Sequence, residues 1–192
     1  DCIYEDDKVK VYSFPLKHSI VCWGFLFEEK PRPLNIRKEA LEKYDIPVAA
    51  IRKIKSGLDW VDINGKVISN SELTKKSSKA LSYAYCTDTL PLLSLKELLL
   101  EVDFLYHEAT FIEAHAKRAK ETKHSTAKQA AGIAQQIGAK HLLLGHFSTR
   151  YDNLDILLDE AKELMPNVRL AKDGVRFSLE SNTNEIKEQY IS

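Results

Sequence analysis

Cysteine is scarce in this sequence: three residues, Cys2, Cys22 and Cys86, stand widely spaced among 192. An odd number with no paired spacing argues against a disulfide scaffold or a cysteine-based metal module, and a reducing, cytoplasmic setting is expected. Long apolar runs are missing too. The longest, such as Leu98-Leu99-Leu100 and Leu142-Leu143-Leu144, fall far short of the ~20 residues of a membrane-spanning helix, so no membrane partner is expected. Net charge is absent, with 28 Lys/Arg against 28 Asp/Glu, and neither low-complexity segments nor internal repeats are present. The 44% of hydrophobic residues can bury one real core. No methionine precedes Asp1, and Cys2-Ile3-Tyr4 already reads as strand, so a fragment of a longer chain is expected.

What is present divides into unequal stretches. Residues 1–28 are β-like, rich in β-branched and aromatic residues from Val9 to Phe14 and from Ile20 to Phe27. Residues 29–80 open on Pro31 and Pro33, carry helical patterns at Asn35–Tyr44 and Pro47–Lys55, and hold a hairpin turn at Asn64-Gly65. From residue 81 strands and helices alternate. Strands are expected at Leu81–Cys86, Phe104–His107, His141–Leu144, Val168–Leu170 and Val175–Leu179. Helices are expected at Leu92–Glu101, Ile112–Lys120, Ser125–Ile137 and Leu154–Leu164, the third capped by Ser125 and ended by Gly138. Residues 181–192 form a polar tail. The pattern is that of a layered α/β domain (α+β in some schemes), with a sheet covered by helices. Charge is uneven: residues 30–80 hold twelve Lys/Arg against six Asp/Glu, a net of +6 that the remainder cancels. Such a basic insertion fits contact with phosphates, and equally a solvated surface hairpin.

Ligands of α/β sheets gather at the carboxyl ends of strands. Here Ser82–Cys86 runs into Thr87-Asp88-Thr89, Phe104–Tyr106 into His107-Glu108, and His141–Leu144 into Gly145-His146. His18 follows the strand ending at Phe14, and His124-Ser125-Thr126 opens a helix. Each has a plainer reading: Asp88 as a helix cap, Glu108 as a surface carboxylate, the histidines as structural. His107, His115 and His141 are left in that plainer class. Imidazoles and a carboxylate on loops after separate strands also make a minimal ligand set for zinc. Spacing alone leaves both readings open.

The run Tyr106-His107-Glu108-Ala109-Thr110-Phe111, then His124-Ser125-Thr126, then Gly145-His146-Phe147-Ser148-Thr149-Arg150-Tyr151, resembles the ribonuclease Z family. Tyr85-Cys86-Thr87-Asp88-Thr89 and the stretch from Val11 to His18 are similar to two more of its motifs. The resemblance implies a metal-dependent phosphodiesterase: a zinc-dependent endoribonuclease that removes the 3′ trailer of precursor tRNA and leaves a 3′-hydroxyl. It implies the C-terminal half of a metallo-β-lactamase αββα sandwich, in residues 1–28 and 81–180, with an inserted protruding arm at 29–80. His18, Asp88 and His146 would be ligands of two zinc ions, with Asp88 bridging. His124 would act on the phosphate or the leaving oxygen, and Glu108 would orient an imidazole. The arm would grip tRNA, with Arg52, Lys53 and Lys55 as the candidate contacts, in a homodimer where one subunit's arm serves the other's site.

Two departures stand out. The arm reads Ile46-Pro47-Val48-Ala49-Ala50-Ile51 where the bacterial family carries a Gly-Pro motif, and the signature His-x-His-x-Asp-His occurs nowhere in the 192 residues. The chain alone is therefore expected to be inactive and to leave one sheet face uncovered. The alternatives are an inactive RNA-binding or assembly module of the same fold, or a phosphodiesterase of the same fold with another substrate.

Overall fold

The computed structural model describes residues 1–180 and 185–191. The chain opens on three antiparallel strands, β1 (Cys2–Glu5), β2 (Val9–Pro15) and β3 (Trp23–Glu29). Pro31–Ala80 then forms a compact unit distinct from Asp1–Lys30 and the chain from Leu81 onward. It contains β4 (Asn35–Ile36), α1 (Lys38–Tyr44), α2 (Val48–Lys55), β5 (Trp60–Val61), β6 (Val67–Ile68), α3 (Asn70–Leu73) and β7 (Thr74–Lys75). The rest is β8 (Ser82–Cys86), β9 (Phe104–Glu108), α4 (Ala116–Thr122), α5 (Ala127–Ile137), β10 (His141–Gly145), α6 (Asp155–Lys162), β11 (Val168–Leu170), β12 (Val175–Glu180) and β13 (Glu185–Tyr190).

Seven strands make the main sheet in the order β1-β2-β3-β8-β9-β10-β11. β3 meets β8 antiparallel, whereas β8, β9, β10 and β11 run parallel. The register aligns Leu26, Ala84, Leu105, Leu142 and Val168 in one row across five strands, and all are buried. α5 covers this face through Ala127, Ala130, Ala131, Ile133, Ala134 and Ile137. Its alanines let the helix lie close to the sheet, and α6 adds Leu157 and Ala161 to the same core. Because successive side chains of a strand alternate, the other face takes the intervening residues. That face is aromatic: Phe27, Tyr83 and Phe104 form a row with ring centroids 5.8 and 5.9 Å apart, and Tyr85 stacks on Tyr106 at 4.6 Å. Phe27 keeps 37% of its surface exposed.

The unit 31–80 has its own small core of Ala40, Ile46, Ile54, Ile68 and Leu73, with Tyr44 and Trp60 packed against it. Its hairpin turns through Gly65 at φ +79°, a conformation glycine adopts without strain. No helix among the described residues is long and apolar enough to cross a membrane.

Four sequence readings need correction. The helix expected at Leu92–Glu101 is a 3₁₀ turn at Leu93–Leu95 followed by further turns. Its leucines make no single stripe, since Leu99 is buried while Leu93, Leu98 and Leu100 are exposed, and Glu101 at φ +56° turns the chain into β9. The helix expected from Asn35 starts at Lys38, because Asn35 and Ile36 pair with β7 instead. The cap of α5 is Thr126, not Ser125: the Thr126 hydroxyl accepts the Gln129 N–H while the Gln129 side chain accepts the Thr126 N–H. Within the polar tail, 185–190 form β13, paired antiparallel with β12 and holding Ile186 buried; residues 181–184 and 192 lie outside the described residues.

Candidate active site

Three parallel neighbours, β8, β9 and β10, end at the same edge of the sheet, so the residues at their carboxyl ends must converge. β8 delivers Asp88, β9 ends on Glu108, and β10 leads into His146, with Gly145 paired to Glu108. The β2–β3 loop brings His18 and the α4–α5 connection brings His124. The rings of His18 and His124 lie 4.8 Å apart, and those of His124 and His146 5.2 Å apart. Asp88 at φ +51° and His146 at φ +59° both sit in the left-handed region. A non-glycine residue there costs about 1–3 kcal/mol, and such strain concentrates at functional sites. Gly145 allows the close approach of Tyr106, whose ring and hydroxyl occupy the space where a Cβ would stand.

Glu108 organises the cluster. It is fully buried, and its carboxylate accepts four hydrogen bonds. The donors are the Thr89 N–H, the Ser125 N–H at 3.1 Å, the Thr110 hydroxyl at 2.7 Å and the His124 Nδ1–H at 2.9 Å. A buried carboxylate is tolerated only when satisfied in this way. The consequences spread outward. With Nδ1 committed to a carboxylate, His124 presents Nε2. The single hydroxyl proton of Thr110 has Glu108 at 2.7 Å and the His146 carbonyl at 3.0 Å as acceptors; given to either, it leaves Thr110 Oγ1 to accept from His146 Nδ1 at 2.9 Å, so that His146 also presents Nε2. His18 donates Nδ1–H to the Lys123 carbonyl at 3.1 Å, which again leaves Nε2 free. Three imidazoles thus share one tautomer, set in each case by the bond at the other nitrogen.

That arrangement fits a cation. His146 Nε2 stands 3.2 Å from Asp88 Oδ1. Two lone pairs at that separation repel unless a proton or a metal ion lies between them. One set, His18/Asp88/His124, places one ligand atom per residue within 4.8 Å of one another; Glu108 lies equally near His124 and His146, but its carboxylate is spent on its four donors. Nitrogen and carboxylate oxygen donors of this kind suit zinc. Asp88 thus groups with His18 and His124 and faces His146.

His18, Asp88, Glu108, His124 and His146 therefore come together. Arg52, Lys53 and Lys55 belong to the unit 31–80, on α2. There Arg52 and Lys55 line a cleft of about 710 Å³ with Arg32, Leu34 and Ile51, and Lys53 does not. The plainer class is elsewhere: His107 is buried and donates Nδ1–H to the Glu108 carbonyl at 2.8 Å, with its pKa lowered by burial, and His115 bonds the Tyr151 hydroxyl. Sequence reasoning gave Thr110 and Lys123 no role. Thr110 stands inside the Tyr106–Phe111 motif, and its spacing of two from Glu108 was the available signal. Lys123 had none.

This chain is 47% identical over 177 residues to the ribonuclease Z of Bacteroides fragilis, an alignment covering 92% of the chain. The chain is similar to part of ribonuclease Z. It spans 58% of that relative's length. The chain matches no protein-family model. Among solved structures, human tRNase Z, short form, superposes with a TM-score of 0.52 at 24% identity, over 90% of this chain and 44% of that one. A metallo-β-lactamase fold protein from Bacillus subtilis gives a TM-score of 0.54 at 15% identity, over 88% and 49%. The mixed sheet with its helical layer thus matches part of the metallo-β-lactamase fold.

Proposed function

We propose that this chain is part of a zinc-dependent endoribonuclease that removes the 3′ trailer of precursor tRNA and leaves a 3′-hydroxyl on the tRNA. The observation that carries the reading is that Nδ1 of His18, His124 and His146 is bonded elsewhere, leaving three Nε2 atoms in the cluster with Asp88, that of His146 3.2 Å from Asp88 Oδ1. His18, Asp88 and His146 would hold two zinc ions with Asp88 between them. Bound zinc supplies Lewis acidity, making water a nucleophile at neutral pH and drawing charge from the phosphodiester oxygens. His124 is left free for proton work. Its Nε2 would pass a proton to the departing 3′ oxygen of the tRNA while the trailer keeps the phosphate, and the Glu108 carboxylate on Nδ1 would hold the ring in place.

Three residues cannot complete two zinc coordination shells, and the string His-x-His-x-Asp-His is absent from the sequence. In this reading the missing ligands come from polypeptide outside these residues, in a cytoplasmic homodimer where one subunit's arm holds the tRNA cut by the other. The 192 residues alone are expected to leave 3′-extended tRNA intact, and a longer protein carrying that string is expected to cleave it. Trailer release by the 192-residue chain would overturn the division of ligands.

The arm reading rests on the +6 charge and on the cleft lined by Arg32, Arg52 and Lys55. A-form RNA is gripped through phosphates and shape, so the contact should depend on salt. Reversing Arg52 and Lys55 to glutamate in the longer protein is expected to weaken precursor tRNA binding about tenfold and lower the salt slope by about 2. Filter binding across a salt series measures both, and an unchanged slope would remove these residues from the interface.

A further inference from the structure

α4 ends in a Schellman turn. The Lys123 N–H donates to the Lys120 carbonyl at 3.3 Å, and the His124 N–H reaches back to the Ala119 carbonyl at 2.8 Å. Lys123 takes the left-handed position between them, at φ +58° and ψ +46°. Glycine is the usual residue there, since any Cβ crowds the following carbonyl. The lysine side chain has work that glycine could not do. Its Nζ donates to the His18 backbone carbonyl at 3.2 Å, while the Lys123 carbonyl, turned out of the helix, accepts the His18 Nδ1–H at 3.1 Å. The two residues are 105 apart in sequence, so this reciprocal pair ties the β2–β3 loop to the α4–α5 connection.

We propose that Lys123 is a positioning residue for the cluster. Its left-handed backbone aims the carbonyl that selects the Nδ1–H tautomer of His18, and its ammonium anchors the loop on which His18 stands. The same turn delivers His124 as its last hydrogen-bonded residue, so one backbone conformation places two of the three imidazoles. The inference rests on the reading of Nε2 as the metal-facing nitrogen. It adds a requirement that the ligand set does not contain: a residue that touches neither metal nor substrate decides whether His18 can act as a ligand.

The test uses the ¹⁵N-labelled longer protein that carries the His-x-His-x-Asp-His string, without metal, at mildly alkaline pH. Long-range ¹H–¹⁵N spectra read the imidazole tautomers, and competition with a chelator reads zinc affinity. Lys123→Gly keeps the left-handed turn and its carbonyl but removes the ammonium. Lys123→Val, β-branched and averse to positive φ, removes both. His18 is expected as the Nδ1–H tautomer in the unaltered chain and in Lys123→Gly. In Lys123→Val that single tautomer is expected to be lost, with zinc binding about 10- to 100-fold weaker. An Nε2–H tautomer in the unaltered chain, or an unchanged His18 in folded Lys123→Val, would overturn the proposal. The expected tautomers without zinc binding in any variant would support the positioning role and overturn the metal reading.

Discussion

Asp88→Ala, made in a protein that carries the remaining ligands, is expected to reduce cleavage of 3′-extended tRNA by at least about 10³-fold, the scale on which loss of a central catalytic group is felt. The carboxylate faces His146 Nε2 at 3.2 Å and groups with His18 and His124. Without it the imidazoles share no anion, and two cations brought close together would lose what offsets their repulsion. Asp88→Asn keeps the shape and loses the charge, so it should be almost as inactive. Binding of tRNA, assigned to the arm, should change less than about threefold in both, well under the ~1.4 kcal/mol of a tenfold effect. Stability should move the other way in Asp88→Gly, which relieves the backbone strain at φ +51° and should melt no lower than the unaltered chain. Single-turnover cleavage with gel-shift titration separates these effects. Normal turnover in Asp88→Ala would remove Asp88 from the chemistry altogether.

The second large effect is on folding. Glu108→Ala leaves the Thr89 and Ser125 N–H groups and the His124 Nδ1–H without their acceptor, while the Thr110 hydroxyl can turn to the His146 carbonyl at 3.0 Å. Each buried donor stranded in this way costs about 1–3 kcal/mol, and partial relaxation brings the expected total to about 3–5 kcal/mol. Against a typical stability of about 5–15 kcal/mol, that is enough to leave the chain poorly folded at growth temperature. Glu108→Gln is the informative partner. Its amide oxygen still accepts, but the –NH₂ meets groups that are themselves donors, and His124 Nδ1 loses its carboxylate partner. A smaller loss of stability, about 1–3 kcal/mol, should accompany a drop in cleavage of about 10- to 100-fold. Urea unfolding reads the first effect and cleavage in the longer protein the second. A change of under about 1 kcal/mol in Glu108→Ala would mean that the carboxylate does not hold the network together.

Much of this was legible in the sequence, for identifiable reasons. β2, β8, β9 and β10 lie within one or two residues of where short apolar and aromatic runs put them; β8 and β9 alternate between buried and half-buried positions, whereas β10 is buried throughout. The turn at Gly65 and the end of α5 at Gly138, φ +70°, follow from what glycine alone does cheaply. The Leu92–Glu101 segment misled because its composition is helical while its burial is not: only tertiary packing decides which leucine faces inward. Ser125 misled because both it and Thr126 can cap. The hydroxyl of Ser125 is spent on the Thr89 carbonyl at 2.8 Å, a partner 36 residues away that no local pattern reveals.

The candidate site divides along the same line. That His18, Asp88, Glu108, His124 and His146 stand at strand ends or open a helix was written in the sequence, since turns and strand ends depend on near neighbours. Which nitrogen each imidazole presents was not. That depends on Glu108 reaching His124, on Thr110 reaching across 36 residues to His146, and on Lys123 reaching across 105 to His18. Parallel pairing of β8, β9 and β10 carries their ends to one edge, and burial then forces every donor and acceptor there to find a partner. The residue types are a property of the chain. Their tautomers, strain and shared acceptor exist only once distant segments meet, because a hydrogen bond is decided by geometry in space and not by order along the backbone.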